Sequence, residues 1–192
     1  MEIYDITRTM QTAALYPGTP PFSMRRVSDL ADEGYRECEL TFYSHVGTHA
    51  DAQAHFLPEG LDIAQMPVER FLGPCRVITV PADTVIGSEA LSGELDGVCR
   101  LVLHGGGNTY LNAEAAAYLV QCGVQTVVTD AISIAPMDLE KEVHLVLLEA
   151  GAGIVENAVL DGVPDGDYML SALPLRIAGC DGAPVRAVLF RE

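Results

Sequence analysis

Three of the five histidines in this chain and an aspartate fall within eleven residues, His45-Val-Gly-Thr-His49-Ala-Asp51-Ala-Gln-Ala-His55, with Phe56 next. In a flat strand these odd-numbered positions share one face at ~3.3 Å per residue, which leaves His45 and His49 about 13 Å apart. Ligands sit ~2.0–2.2 Å from a metal ion, so a shared ion demands a bend between them. Gly47 accepts the dihedrals of such a bend, and Thr48 suits the start of a helix. The Ala-Asp-Ala-Gln-Ala-His run is helix-forming and sets Asp51 and His55 on one face at i, i+4. The expectation is a strand ending at His45, a turn at Gly47-Thr48 and a short helix. Imidazole with carboxylate, and no thiolate nearby, suits zinc, manganese or iron. Read blandly, the same residues are a polar loop.

A chain of 192 residues is large enough for a proper core and is read as one domain, 1–192. Its formal charge, 11 − 27 = −16, argues against nucleic acid or an anionic membrane surface as partner. The five cysteines are scattered, with no C-x-x-C pair, which fits a reducing compartment. No basic, apolar leader is visible at Met-Glu-Ile-Tyr-Asp-Ile, and no apolar run approaches the ~20 residues of a bilayer span. A cytoplasmic setting is expected.

Along the chain, Ile3 to Ile6, Glu37 to Ser44, Leu72 to Val80 and Val98 to His104 read as strands. Met24 to Tyr35 shows no clear periodicity. Asn112 to Cys122 is the clearest helix, with Asn112 as N-cap and Gly123 as stop. Val124 to Asp130 follows as a strand, so this run is a βαβ-like unit and part of the sheet is parallel. Asp138 to Ala150 reads as a second helix, and Ile154 to Leu160, Tyr168 to Pro174 and Val185 to Phe190 as later strands. The glycines after His104 (Gly105 to Gly107) complete no phosphate-binding motif. His144 points toward the apolar stripe of its helix, where an isolated histidine reads first as a satisfied core residue. Glu156 lies in an apolar strand, and a buried charge there needs a partner or a metal. The stiff loop Tyr16-Pro-Gly-Thr-Pro-Pro21 could hold an aromatic ring against a pocket.

The stretch Ser44 to Phe56 resembles the signature of the cyclase-like metal-dependent hydrolases, the family containing bacterial kynurenine formamidase and isatin hydrolase. The likeness continues in Ile3 to Thr7, Pro17-Gly18, Asp130 to Ser133, His144 to Asn157, Asp161 to Tyr168, Ala172 to Leu175 and Pro184 to Arg186. It implies a sheet-rich α/β domain of the swivelling β/β/α type with a mixed sheet, assembled as a homodimer or homotetramer. One metal would be held by His45, His49, Asp51 and Glu156, and a second by His144 with Asp51 and Glu156 bridging. The cofactor is then one or two Zn2+ ions, or Mn2+, with His55 as catalytic acid/base.

The resemblance implies hydrolysis of an aryl formamide, N-formylkynurenine first among candidates, with Tyr16 against the small-molecule substrate. Ring opening of a cyclic amide or lactone such as isatin is the alternative, and a non-catalytic metal- or small-molecule-binding module is another. His55 favours the enzyme, since a binding module has no use for an acid/base. Four positions depart from the formamidase pattern: Tyr16 stands where tryptophan is expected, in a chain with no tryptophan at all, Thr19 where aspartate is expected, Gln53 where proline is usual and Ala135 where aspartate is common. None removes a proposed ligand. Thr19 does remove a carboxylate that would meet a substrate's ammonium group.

Overall fold

The computed structural model describes residues 1–192 in full. Nine strands form one mixed sheet in the order Glu2–Asp5, Val188–Arg191, Gly166–Ser171, Leu72–Thr79, Arg100–His104, Thr126–Thr129, Gly153–Glu156, His49–Asp51, Gly182–Pro184. The four strands from Leu72–Thr79 to Gly153–Glu156 are parallel, and both flanks are antiparallel. Fully buried parallel strands read as continuous apolar runs, and here neighbouring residues point into opposite cores. Val102, Val128 and Val155 enter one, with Ile6, Phe71 and Leu170. Leu101, Val127 and Ile154 enter the other, beneath the two α-helices.

Those helices are α1 (Ala113–Gln121) and α2 (Glu140–Glu149). Asn112 caps α1 as expected, its side chain accepting from Ala115 N at 2.8 Å. The parallel pairing of Arg100–His104 with Thr126–Thr129 around α1 is the βαβ unit read from the sequence. The triglycine turn within it, Gly105 to Gly107, is braced by the chain itself. Asp130 turns its own carboxylate onto Gly105 N and Gly106 N, which satisfies those donors from within.

Two expectations differ from the structure. The stretch Met24 to Tyr35 overlaps a strand, Ser23–Ser28, which pairs with Glu37–Thr41 in a separate hairpin. Almost every residue of both strands is exposed. With no face buried there is no period-2 signal to find. The second difference is at the motif: His49–Asp51 is a strand, and only Gln53–His55 is helical, as a single 3-10 turn. Alanine-rich propensity gives way because strands on both sides, Gly153–Glu156 and Gly182–Pro184, offer this segment a complete ladder. Thr48 accordingly caps no helix; its hydroxyl donates to Asn157 O at 2.8 Å.

Candidate metal centre and pocket

The bend demanded by the motif is present. Gly47 has φ +72°, in the left-handed region that suits glycine, and the rings of His45 and His49 come to 4.9 Å between centroids. His49 and Asp51, at alternate positions of one short strand, project on the same side. Glu156 is the register partner of His49 on the neighbouring strand, and α2 delivers His144 from above.

The four groups are 0–5% exposed: His49 2%, Asp51 0%, His144 1% and Glu156 5%. Each carboxylate divides its oxygens between histidines. Asp51 Oδ1 lies 2.9 Å from His45 Nδ1 and 3.5 Å from His49 Nε2, while Oδ2 lies 3.5 Å from His144 Nε2. Glu156 Oε2 lies 3.4 Å from His49 Nε2, and Oε1 lies 3.3 Å from His144 Nε2. Backbone carbonyls fix the tautomers: His49 Nδ1 donates to Gly47 O at 2.9 Å, and His144 Nδ1 to Glu140 O at 2.7 Å. Both Nε2 atoms therefore face the carboxylates. His49 Nε2 and Asp51 Oδ2 are buried without a hydrogen-bond partner, and such groups are costly unless something else satisfies them.

This donor set fits a divalent cation. His45, His49 and Asp51 bring ligand atoms within 4.8 Å of one another, and so do Asp51, His144 and Glu156. A third group, His45, His55 and Asp181, meets the same distance limit. Mixed nitrogen and oxygen donors suit zinc or manganese, and a second hydrogen bond behind each ring is the usual support of a metal-bound histidine.

Without a cation, protons compensate the two buried carboxylates. Burial opposes charge on His45, but hydrogen bonds to Asp181 and Asp51 outweigh it and raise the imidazole to about 10. Burial likewise opposes charge on His144, and its bonds to Asp51 and Glu156 carry it to about 11. Asp51, despite burial, is held well below the carboxylate range by His144 and His45. Burial and the nearby Asp51 raise Glu156, yet His144 and His49 hold it below its ordinary value. His55 moves the other way: burial, aided by the charges of His45 and His144, lowers it against the pull of Asp51 and Asp181. A neutral imidazole results, at the rim of a charged cluster.

His55 stacks on His45 at 4.1 Å between centroids and meets Phe56 edge-on at 4.5 Å. Its Nδ1 donates to Asp181 Oδ2 at 3.2 Å. The sequence reading passes over Asp181, because a single aspartate in a glycine-rich loop carries no local signal. It also passes over Glu140. Tyr16 and Glu140 meet across the mouth of the site, the phenol donating to Oε2 at 2.8 Å. Burial, then the Glu140 hydrogen bond, pushes the phenol up to about 12, so it stays a donor.

A cavity of about 230 Å³ opens onto these groups, lined by Tyr16, Thr19, His45, His49, His55, Phe56, Ile132, Glu140, His144 and Glu156. It is small beside the ~300–1,000 Å³ of typical ligand pockets, which limits the ligand to a compact molecule. His104 is not among the lining residues. Gln53 explains itself: its amide donates to Leu148 O at 2.9 Å and accepts from Leu61 N at 3.3 Å, tying the 3-10 turn to α2. Ala135 is 1% exposed among apolar neighbours.

A family model named Cyclase ("Putative cyclase") matches residues 4–136. Kynurenine formamidase of Bacillus cereus (strain ZK / E33L) is 38% identical, the match covering 98% of this chain and 97% of the relative. Kynurenine formamidase of Bacillus anthracis is 37% identical, with 92% and 90% covered. Among solved structures, "The Structure Of Potential Metal-Dependent Hydrolase With Cyclase Activity" superposes with a TM-score of 0.85 at 26% identity, covering 100% of this chain and 98% of the other. Isatin hydrolase A from Labrenzia aggregata shares the fold, with a TM-score of 0.82 at 20% identity and coverage of 98% and 93%.

Proposed function

The chain belongs to the Cyclase family, and from that premise we propose that it is a metal-dependent hydrolase of non-peptide carbon–nitrogen bonds that cleaves an aryl formamide. N-formylkynurenine is the leading candidate, since the relatives at 37–38% identity are kynurenine formamidases. The observation that carries the reading is the division of Asp51 and Glu156 between His49 and His144, oxygen by oxygen, beneath a compact pocket.

In this reading His45, His49 and Asp51 with Glu156 hold one divalent cation. His144, with the same two carboxylates, would hold a second. Zinc fits both sets, and manganese is the alternative. A cation so held supplies Lewis acidity, making water acidic enough to act as a nucleophile near neutral pH, from a pKa of about 15.7 toward ~7. His55, neutral and beside the pocket, takes at Nε2 the proton that the attacking water loses and returns it to the departing arylamine nitrogen, a role typically worth ~10²–10⁴-fold. Phe56, Ile132 and the ring of Tyr16 wall the aryl group away from water. Glu140 holds the Tyr16 hydroxyl and so keeps that wall in place.

The single hydrolase domain is proposed to work in the cytoplasm as a homodimer or homotetramer. No helix is long and apolar enough to cross a membrane. The Ser23–Thr41 hairpin supports assembly: Met24, Tyr35 and Leu40 are 51–54% exposed, and a lone two-stranded hairpin is marginal in water.

The test is elemental analysis of protein purified without chelator, followed by assay of N-formylkynurenine and isatin with zinc and with manganese. Chelation should abolish turnover of N-formylkynurenine and added metal should restore it. Full turnover by protein shown to be metal-free overturns the proposal, and faster turnover of isatin moves it to ring opening of a cyclic amide.

A further inference from the structure

The geometry points to Asp181 as the positioning residue that sets the tautomer of His55, an inference that rests on the hydrolase reading above. A single oxygen, Asp181 Oδ2, meets two imidazoles: His45 Nε2 at 2.9 Å and His55 Nδ1 at 3.2 Å. The other oxygen is occupied, Oδ1 accepting from the Ser44 hydroxyl at 2.9 Å. An ionised carboxylate only accepts. Both ring nitrogens that face Oδ2 must therefore carry their protons.

The consequence differs for the two rings. His45 keeps a proton on Nε2, which leaves Nδ1 as the nitrogen turned toward Asp51. His55 keeps a proton on Nδ1, which leaves Nε2 with its lone pair free to take and return a proton. An imidazole left to itself populates both tautomers, and the one with Nε2 protonated cannot act as a base at that atom. Asp181 removes the ambiguity. It also restrains rotation, because the stacked pair of rings shares one acceptor.

The backbone around Asp181 is anchored independently of its side chain. Ala52 N donates to Asp181 O at 2.9 Å, next to the ladder that joins Gly182–Pro184 to His49–Asp51. Asp181→Asn should therefore keep the fold and the contact with Ser44, while turning an N–H toward His55 Nδ1 and His45 Nε2 alike. That favours the unproductive tautomer. The same change behind a catalytic histidine in a Ser-His-Asp triad lowers kcat by ~10⁴; here the partner is half-exposed, and a loss of at least about tenfold is expected.

The decisive measurement needs no substrate. Long-range 1H–15N spectra of the zinc-loaded protein near pH 7, with the His55 signals assigned from their absence in His55→Ala, report which nitrogen is protonated. The unaltered protein should show Nδ1–H, and Asp181→Asn should show Nε2–H. Finding Nε2–H in the unaltered protein overturns the inference even if the variant fails to fold. Assayed with zinc bound in saturating excess, Asp181→Asn should keep its KM within about threefold, with the loss in kcat. Added to His55→Ala it should cost nothing further. A loss of zinc in step with activity, or an equal fold-loss in the His55→Ala background, assigns Asp181 to His45 or to the fold and overturns the inference. If the unaltered protein turns over no amide while His55 shows Nδ1–H, it is the hydrolase reading that fails.

Discussion

His49 and Glu156 are register partners on adjacent antiparallel strands, and the pairing brings Nε2 to 3.4 Å from Oε2. The sheet ladder therefore sets the spacing of the two groups, without reliance on a loop. Replacing Glu156 by Gln or Asp51 by Ala removes a carboxylate shared between the histidines, and either variant should lose most of its metal on elemental analysis. His55→Ala should keep the metal and lose ~10²–10⁴ in kcat. If His55→Ala strips the metal as thoroughly as Asp51→Ala, His55 is a ligand and the roles are reversed.

Metal uptake should release protons. His45 and His144 hold theirs up to about 10 and about 11 in the absence of a cation, and a ligand nitrogen must give its proton up. Apparent zinc affinity should rise with pH between 6 and 8. Calorimetric titration in buffers of different ionisation enthalpy counts the protons, and a count of zero excludes the assignment. For the chain without metal the sign is opposite. Folded-state pKa values raised above 6.5 add stability that is complete below pH ~6.5 and is lost as pH rises through about 10 and 11. The chelated protein should melt at progressively lower temperature above pH 7, and the zinc-loaded protein should resist that fall.

Gly182 sets how closely His45 approaches the sheet. A Cβ there would lie 2.8 Å from Ala50 O and 2.8 Å from His45 Cε1. The carbonyl belongs to a strand paired on both sides, so the His45 ring must move. Gly182→Ala should cost ~1–3 kcal/mol, as overpacking does, at roughly 2–4 °C in Tm per kcal/mol, with weaker zinc binding. Unchanged zinc affinity and melting temperature would show that the strand yields instead.

Thr19 takes a carboxylate out of the pocket, and Glu140 places one in it. Glu140 already accepts from Tyr16 and, at 3.3 Å, from Ser133, yet each oxygen keeps accepting capacity. Charge-assisted bonds are worth ~1.5–3 kcal/mol. Glu140→Gln should therefore cut the preference for N-formylkynurenine over uncharged N-formylaniline by about tenfold in kcat/KM. Tyr16→Phe should weaken both substrates alike. Equal losses on both substrates with Glu140→Gln would reduce its part to holding Tyr16.

The buried strands of the parallel core, both helices and the bend at Gly47 were legible because each leaves a local trace: an apolar run, a capping asparagine, a glycine between histidines; the exposed strand Ser23–Ser28 leaves none. The ligand candidates were legible partly by chemistry and partly by resemblance, since nothing in the spacing brings His144 or Glu156 to His49. The motif's helix was misread because ladder partners supplied from residues 153–156 and 182–184 overrode alanine's preference. Asp181 and Glu140 were invisible for a related reason. Their significance lies in what they touch, and those contacts span 136 and 124 positions respectively.

The insertion of His49–Asp51 between two later strands also sets an order of events. As the chain leaves the ribosome, the histidine-rich segment emerges first and has no neighbour to pair with until roughly a hundred more residues have followed. Such non-local pairings form slowly, and until they do, the segment offers a flexible His-Asp stretch in place of a cradle. Metallation is therefore a late step, completed after the sheet has closed around its own early segment. A chain stalled before residue 182 should expose these side chains to divalent cations in the cell without retaining one.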